Sequence, residues 1–433
     1  MSISVLSGSP LVATPVYNKM LFKVSSDQIS QPNYRFVCDV KTSAGATMAR
    51  LKCDKLPTTN YGFFDVQKVV ETLIAPTAPS LTQTAFSNHS GFYSGYRLDF
   101  FDEYGSTPVV QTGTVTTVSG NIAFAGNLEQ LEFQSYNADT RFPSGTLLGS
   151  LALTTPTRFV WYSNTEARWL SQGKASTTTT NFDKALIRYY TAGGVLVREY
   201  TVTNDLPAVQ RIVRFGAGPS NIRALTSGQA SDGFSGEYLF PSGEGEYYTI
   251  AFGDSAWNDF NQRCDADGAD PAESGFCLEE RFNELYEDNY ENFGQVYTYI
   301  RGECERFNSI PVHFINKYGG IDSYTFTMKN RKRANIQREV FGYNSDVYAT
   351  TTYNKVWAGS FDFVYALNSD WLTDAESEWL IEMVRSGQVW LELGGQLVEA
   401  VVNANQYQFV TRRNDRLTQL QIEVAVAYDN NIL

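Results

Sequence analysis

Short runs in which apolar and polar side chains alternate, or in which apolar side chains follow one another, recur along the whole chain. Near the start they read NKMLFKVSS, YRFVCDVKT and ATMARLKCD, and near the end QVWLEL, QLVEAVV and LTQLQIEVAVAY. Such runs fit the two-residue repeat of a β-strand rather than the 3.6-residue repeat of a helix. We therefore expect a chain made mainly of short strands.

The composition supports the same fold class and adds an argument from size. Aromatic residues make up 14% of the chain, and 33 Gly and 14 Pro punctuate it as turn signals. Aromatic and β-branched side chains suit the surface of a pleated sheet, and 433 residues exceed what one ordinary core holds. The prediction is a mainly β protein with several antiparallel β-sandwich-like domains and short capping helices.

Changes in periodicity and turn-rich stretches divide the chain into four parts. The stretch SYNADTRFPSG has the composition of a turn, and the acidic stretch after GEYYTIAF has no strand pattern. The predicted parts are an N-terminal β domain over 1–150 with a helix at 65–75, a second β domain over 151–252, an acidic insertion over 253–293, and a C-terminal β domain over 294–433 with a helix at 373–386.

Both predicted helices rest on apolar spacing and on terminal signals. In DVQKVVETLIA, Asp65 stands where an N-cap residue is expected and Pro76 follows the end. In the second helix Thr373 and Glu376 form a capping-box pattern, and Gly387 ends the helix. We expect its apolar stripe to pack onto the sheet that contains QVWLEL and the closing strand. The stripe consists of Leu372, Trp379, Leu380, Met383 and Val384.

The net charge and the hydropathy pattern limit the partners. The formal charge is −13 and the pI is near 4.8, so most of the surface repels nucleic acid and anionic lipid. No stretch approaches the roughly 20 apolar residues that span a bilayer, and MSISVLSGSPLVATP lacks the pattern of a signal peptide. We expect a protein made in a cytoplasm, with no membrane partner and no general nucleic-acid partner.

The residues that commonly carry enzyme chemistry are scarce. Of two histidines, His313 lies in the strand-like run IPVHFIN and is expected to be a hydrogen-bonded core imidazole, while His89 lies in a polar loop. No nucleophile elbow, phosphate-binding loop or zinc-type cysteine spacing occurs. Cys38 and Cys53 are expected as small buried residues on adjacent strands. The sequence predicts a protein that is not an enzyme and holds no cofactor, with calcium as the one ion to consider.

A calcium site would come from the acidic insertion. Carboxylates at alternating positions around a Gly turn, in CDADGADPAE, can converge on a calcium ion, which takes six to eight oxygen ligands. The spacing departs from the EF-hand pattern, since Gly268 comes too early and no Glu occupies the twelfth position. The alternatives are a weak calcium site and a solvated acidic loop. The residues are Asp265, Asp267, Asp270 and Glu273.

A basic cluster in FTMKNRKRANIQRE is the candidate interface. On an acidic chain such a cluster has three interpretations: a charged hairpin tip, a docking patch for an acidic protein, and a nucleic-acid contact. The hairpin tip is the simplest, because the cluster lies between one strand-like run and the next. The cluster consists of Lys329, Arg331, Lys332 and Arg333.

Three motifs follow one another in the C-terminal third. The first is an N–x–x–G–G–x–D–x–[YF]–x–F run, formed by Asn316, Gly319, Gly320, Asp322, Tyr324 and Phe326. The second is a WLT…E…WL helix with Trp371, Leu372, Thr373, Trp379 and Leu380, and the third is an ND+L closing strand with Asn414, Asp415 and Leu417. In the order of these motifs the chain resembles virion structural proteins of tailed bacteriophages.

The resemblance implies a structural component of a tailed-phage virion, at a tail, baseplate or neck, with copies of itself and other virion proteins as partners. One alternative is a receptor- or glycan-binding tail-tip or fibre protein, because aromatic side chains stack on sugars. A second alternative is a glycoside hydrolase that uses paired carboxylates. Glu244 and Glu246, in SGEGEYY, would lie on one face of a strand, and nothing further marks them.

Overall fold

The computed structural model describes residues 3–6, 13–82, 85–88, 91–136, 150–152, 159–161, 167–174, 184–191, 193–206, 212–225, 247–253, 296–301, 307–343, 353–403, 418–426 and 430–432. Over these residues the chain is mainly β, with several antiparallel sheets and short helices, so the predicted fold class is confirmed. The strand pairs are antiparallel except for two parallel pairs, described below.

The N-terminal region forms two sheets and two short helices. The small sheet contains β1 (Ile3–Val5), β3 (Leu21–Ser26) and β6 (Gly62–Asp65). The larger sheet has the order β2-β10-β8-β4-β5, with β9 beside β8 and β2 parallel to β10. Its strands are β2 (Ala13–Pro15), β4 (Arg35–Thr42), β5 (Thr47–Cys53), β8 (Tyr93–Tyr104), β9 (Val109–Val110) and β10 (Thr116–Phe124). The helices are α1 (Gln67–Glu71) and α2 (Gln130–Gln134).

The middle of the chain forms two further sheets. One has the order β11-β13-β16-β7 and contains β7 (Phe86–Asn88), β11 (Ser150–Ala152), β13 (Trp169–Lys174) and β16 (Ile212–Gly216), followed by helix α3 (Pro219–Arg223). The other has the order β12-β18-β17-β14-β15, with β12 parallel to β18. It contains β12 (Phe159–Trp161), β14 (Lys184–Tyr190), β15 (Leu196–Thr203), β17 (Tyr247–Gly253) and β18 (Tyr297–Arg301).

The largest sheet is C-terminal and has the order β20-β19-β23-β24-β25-β22-β21, with β26 beside β22. Its strands are β19 (Ile310–Ile315), β20 (Ile321–Phe326), β21 (Arg331–Tyr343), β22 (Tyr353–Leu372), β23 (Val389–Leu393), β24 (Gln396–Val402), β25 (Thr418–Val426) and β26 (Asn430–Ile432). Helix α4 (Asp374–Arg385) follows β22. This sheet carries the candidate interface.

The C-terminal sheet curls strongly, because its two outermost strands are consecutive in the chain. Only residues 327–330 join β20 to β21, although five strands stand between them in the sheet order. The Asn368 side chain donates to the Lys329 carbonyl (2.7 Å), and the Asn330 side chain accepts from the Asn368 amide (3.2 Å). These bonds hold the connection against β22 and fix where β21 begins.

Two buried clusters form the interior. One lies between the N-terminal sheets and also includes Trp169, Ile321 and Trp390 from later in the chain. The other joins the middle sheets to the C-terminal sheet and α4, with Ile250 and Leu380 among its fully buried members. The second and C-terminal predicted domains thus contribute to one apolar cluster, and the domain boundaries stay a prediction.

Helix α1 is shorter than the predicted helix at 65–75. It begins at Gln67, because Asp65 is the last residue of β6 and pairs with Leu21 in the neighbouring strand. Val66 therefore holds the N-cap position, and the Asp65 carboxylate accepts from the Gln67 amide at 3.1 Å. The sequence predicts Asp65 as the N-cap residue, but its pairing with Leu21 makes it part of β6.

Helix α4 confirms the predicted capping box. The Thr373 hydroxyl accepts from the Glu376 amide (3.3 Å), and the Glu376 carboxylate accepts from the Thr373 amide (2.8 Å). Trp379, Leu380 and Met383 are buried. The helix packs against β19, β22 and β25, so the closing strand is covered as expected, while β19 and β22 are the other main contacts.

Candidate assembly interface

The first motif, at Asn316 to Gly320, forms the turn between β19 and β20. The Asn316 side-chain oxygen accepts from the Tyr318 and Gly320 amides, both at 3.0 Å. Gly319 has a φ of +82°, and a Cβ there would lie 2.9 Å from the Ala125 carbonyl oxygen. A side chain at this position would be strained and would also collide with the N-terminal region.

Asp322 of the first motif and Trp379 of the second are hydrogen-bonded in the core. The Trp379 Nε1 donates to an Asp322 carboxylate oxygen at 2.7 Å, and Asp322 is fully buried. The Trp379 ring also packs against Phe314 and Tyr324, with centroids 5.8 and 6.2 Å away. These motif residues therefore join α4 to β19 and β20. The third motif, at Asn414, Asp415 and Leu417, lies outside the described residues.

A small cleft lies where α4 and the β19–β20 turn meet residues 125–132. Its volume is about 150 Å³, and Tyr17, Ile315, Lys317, Glu382 and Arg385 help to line it. The Lys317 ammonium contacts the Glu132 carboxylate at 2.8 Å, and the Arg385 guanidinium contacts the Glu129 carboxylate at 2.8 Å. Ligand sites usually span roughly 300–1,000 Å³. The size and these ion pairs indicate a junction between N- and C-terminal regions.

Glu382 is the titrating group of this junction. Burial, followed by the nearby Asp322 carboxylate, raises the pKa of Glu382 to about 7. One of its oxygens accepts from the Lys317 amide at 3.1 Å, and the Lys317 ammonium is 3.9 Å from the other. Burial lowers the pKa of Lys317, but the hydrogen bond and charge of Glu132 outweigh it and leave that pKa raised. A proton is therefore exchanged here near neutral pH.

His313 is a residue of β19, which stands between β20 and β23 in the C-terminal sheet, and it lies between a hydroxyl and a carboxylate. Its Nδ1 is 2.7 Å from the Ser323 hydroxyl on β20, and its Nε2 is 3.6 Å from a Glu392 carboxylate oxygen on β23. Burial lowers the pKa of His313. Ser323 is only 3% exposed and His313 is fully buried, so both side chains lie in the core. The prediction of a hydrogen-bonded core imidazole is confirmed.

Cys38 and Cys53 lie on the adjacent strands β4 and β5, as predicted, and both are free thiols. Cys38 is fully buried and Cys53 half-buried. Burial raises the pKa of the Cys53 thiol to about 11 and raises that of Cys38 as well. Neither thiol has the lowered pKa of a reactive cysteine.

Several predicted sites lie outside the described residues. The calcium candidates Asp265, Asp267, Asp270 and Glu273 are among them, as are His89, Glu244 and Glu246. Within the described ranges, no group of three or more His, Cys, Asp or Glu side chains is placed to hold a metal ion. No helix in the described part of the chain is long and apolar enough to cross a membrane.

The basic cluster begins a long strand and does not occupy a hairpin tip. Lys329 lies in the connection after β20, while Arg331, Lys332 and Arg333 are the first three residues of β21. The strand starts there because Asn330 is tied to Asn368 of β22. The distal end of the β21–β22 hairpin comes after Tyr343, more than ten residues further along the chain. The tip interpretation is therefore wrong.

Strands β21 and β22 form a hairpin that we call the arm (331–343 and 353–366). Every residue from Arg331 to Val340 is exposed, and the exposed fractions of Ile336, Val340 and Val356 are 53%, 59% and 47%. In the described part of the chain, β21 has β22 on one side and no strand on the other. Strands are commonly five to six residues long, whereas β21 has 13. The arm therefore presents a long, open sheet edge.

One face of the arm carries a row of apolar side chains that continues from the core, with Lys332 and Arg338 on either side of Ala334 and Ile336. Residues that pair directly share a face, so Ala334 lies beside Phe363 and Ile336 beside Phe361. The Lys332 ammonium lies 3.7 Å from the centroid of the Phe363 ring. Towards the base the same face carries the buried Leu367. The apolar row on this face, which we call the apolar face, thus extends from the core into solvent.

The other face of the arm is polar. It carries Arg333, Asn335, Gln337 and Glu339 at successive alternate positions of β21. The Arg333 guanidinium contacts Glu423 of β25 at 3.0 Å, in a pair whose side chains are 57% and 42% exposed. Such an exposed pair contributes little to stability. This face therefore offers side chains that can take new partners.

The sequence analysis identified the basic residues at the start of β21. It did not identify Ile336 and Glu339, which lie further along the same edge strand. The alternation in RKRANIQREV does predict a strand, but nothing local tells an edge strand from a covered one. It also missed Asp322 as the partner of Trp379, because the two are 57 residues apart. Only the pairing of β19, β20 and α4 brings them together.

Comparison with known proteins does not assign the chain to a family. No family model matches the chain, and no curated protein matches it. Among solved structures, a trypsin-activated alpha-2-macroglobulin from Escherichia coli aligns with 8% sequence identity and a TM-score of 0.18. The alignment covers 100% of this chain and 37% of that one. A likeness this weak carries no argument about fold or function.

Proposed function

We propose that the protein is a structural component of a tailed-phage virion, and that it forms or joins a tail, baseplate or neck assembly through contacts between subunits. The observation that carries the proposal is the arm, in which residues 331–340 of β21 are exposed and β21 has no second neighbouring strand in the described part of the chain. Within the described residues β22 also pairs with β25 and β26, so β21 is the strand of the arm with an unpaired edge. Exposed apolar faces of this kind are typical of protein–protein contacts.

The motifs that resemble those of virion proteins support the proposal independently. Asn316, Gly319, Asp322 and Trp379 all lie at buried joints between elements, so they serve the fold rather than a reaction. The arm begins after the first motif and its second strand leads into the second. A rigid curled sheet would therefore position the arm relative to the body of the subunit. Copies of the same chain and other virion proteins are the proposed partners.

The test is to locate the chain in particles of the phage whose genome encodes it. Mass spectrometry of purified virions and immunogold labelling should find it at the tail, baseplate or neck. Absence from purified virions would contradict the proposal.

Negative-stain microscopy of the purified protein separates the rival functions. Rings, stacks or other repeated assemblies support subunit contacts. Discrete particles that bind glycans would favour a tail-tip protein. Polysaccharide turnover that is abolished by one Asp or Glu substitution would favour the glycoside hydrolase.

A further inference from the structure

We infer that β21 of one copy pairs antiparallel with β21 of a second copy, across a two-fold axis at Ile336, and so joins two C-terminal sheets into one. This inference rests on the proposed function, because it names the partner of the arm. It is an isologous contact, in which the same strand of both copies supplies the same residues.

The edge of β21 is suited to pairing. Proteins usually protect sheet edges by shortening, bulging or covering the edge strand. Here the strand has 13 residues, and Arg331 to Val340 are exposed throughout. The irregularity in the arm falls between Glu339 and Val340, which pair with Ala358 and Val356, so the extra residue is on β22. The open edge of β21 therefore runs without a bulge of its own.

The sequence of β21 is complementary to itself in this register. A two-fold axis perpendicular to the sheet keeps each face on its own side. With the axis at Ile336, Arg333 stands opposite Glu339 of the second copy, and Asn335 stands opposite Gln337. Opposite charges across neighbouring strands are favourable, and an amide pair can hydrogen-bond. Both contacts occur twice, once on each side of the axis.

The apolar face favours the same register. Ile336 of both copies meet at the axis, and each is flanked by its own Phe361. The 53% exposed side chain of Ile336 would thereby lose much of its contact with water. A register shifted by two residues, with the axis at Asn335, would place Lys332 opposite Arg338, and like charges in that position are destabilising. Charge and apolar contact therefore favour the register centred on Ile336 over the one centred on Asn335, with a second copy as the occupant.

Charge exchange tests the register. The full chain is examined by analytical ultracentrifugation over a range of protein concentrations. Arg333→Glu and Glu339→Arg should each weaken the dimer roughly tenfold, because each creates two like-charge pairs. The double variant Arg333→Glu/Glu339→Arg should recover most of the lost association, because it restores opposite charges across the axis while residue 333 still faces Glu423 of its own copy. Arg338→Glu is the matched control, since its charge change falls on the other face, opposite Ala334.

Each outcome decides the inference. A chain that is monomeric at every concentration, single variants no weaker than Arg338→Glu, or a double variant without recovery would each overturn it. Thermal unfolding of every variant in dilute solution shows whether a lost dimer reflects misfolding. Ile336→Asp, which places two carboxylates at the axis, should abolish the dimer and leave the monomer folded; an intact dimer would refute the contact.

This experiment also separates the inference from the proposed function. If the chain is found in virions but its association does not respond to these substitutions, the proposed function stands and the β21 pair is contradicted. If the chain dimerises as expected but is absent from virions, the β21 pair stands and the proposed function is contradicted. Binding of nucleic acid or of an unrelated acidic protein to the arm, without self-association, would overturn the pair.

Discussion

The two ends of the C-terminal sheet contain similar strands and differ in what covers them. At one end, β19 and β20 lie under α4, where Trp379 is 7% exposed and bonded to the buried Asp322. At the other end, β21 and β22 extend past the core, and Ile336 is 53% exposed. Strand-forming residues alone therefore do not decide where the stability lies. The covered end contributes most to the stability of the fold, and the open end exposes side chains that can contact a partner.

The largest effect on stability is expected from a substitution in α4 at the covered end of the sheet. Trp379→Ala should lower the free energy of unfolding by about 3–5 kcal/mol, because it removes a large buried ring and its bond to Asp322. Glu378→Ala, on the exposed side of the same helix, should cost under about 0.5 kcal/mol. Urea denaturation of both variants measures the difference.

A narrower substitution separates packing from hydrogen bonding at this end. Trp379→Phe keeps an aromatic ring and loses the Nε1 donor, so it should cost about 1.5–3 kcal/mol, the range for bonds to charged groups. Equal, small losses for Trp379→Ala and Glu378→Ala would show that the buried face of α4 is misassigned.

A smaller effect, dependent on pH, is expected where α4 meets the N-terminal region. The folded-state pKa of Glu382 is about 7, above its ordinary value of 4.5, so the folded chain holds the extra proton between these values. By linkage, the contribution of Glu382 to stability is full below about pH 4.5 and is lost as the pH rises through 7. The loss is on the order of 3 kcal/mol.

Glu382→Gln makes this contribution measurable. The amide resembles the protonated carboxyl, so the unfolding free energy of the wild type relative to this variant should fall between pH 4.5 and pH 8. Denaturation at several pH values measures it, with Glu378→Gln as the exposed control on the same helix. A difference that stays constant with pH, or that the control variant reproduces, would contradict the assignment to Glu382.

Helix α4 shows which structural features can be predicted from residues that are close in sequence. Thr373 and Glu376 lie three residues apart and their capping box needs no tertiary information, so the sequence predicts it. The start of α1 fails for the opposite reason. Asp65 is drawn into β6 by pairing with Leu21, which is 44 residues away and invisible to a local pattern.

The interface is predictable only in part for the same physical reason. The basic residues at 329–333 stand out against an acidic chain, so composition finds them. Their position at the start of an edge strand depends on which strands pair with β22. Strand β25 pairs with one side of β22 and β21 with the other, so β21 is the edge strand. Self-complementarity about Ile336 has meaning only once that edge is known to be open.

The smallest expected effect is at the open end. Ile336→Thr keeps a β-branched side chain and changes a residue that is mostly in water, so it should alter the unfolding free energy by under about 0.5 kcal/mol. Denaturation in dilute solution, where the chain is monomeric, is the measurement, because association would otherwise add to the apparent stability. Leu380→Ala in the covered region, expected to cost about 2–5 kcal/mol, is the comparison. A loss near 2 kcal/mol for Ile336→Thr in the monomer would mean that this side chain is covered within one copy. The contrast between the two ends of the sheet would then fail, and with it the reason for giving the arm a partner.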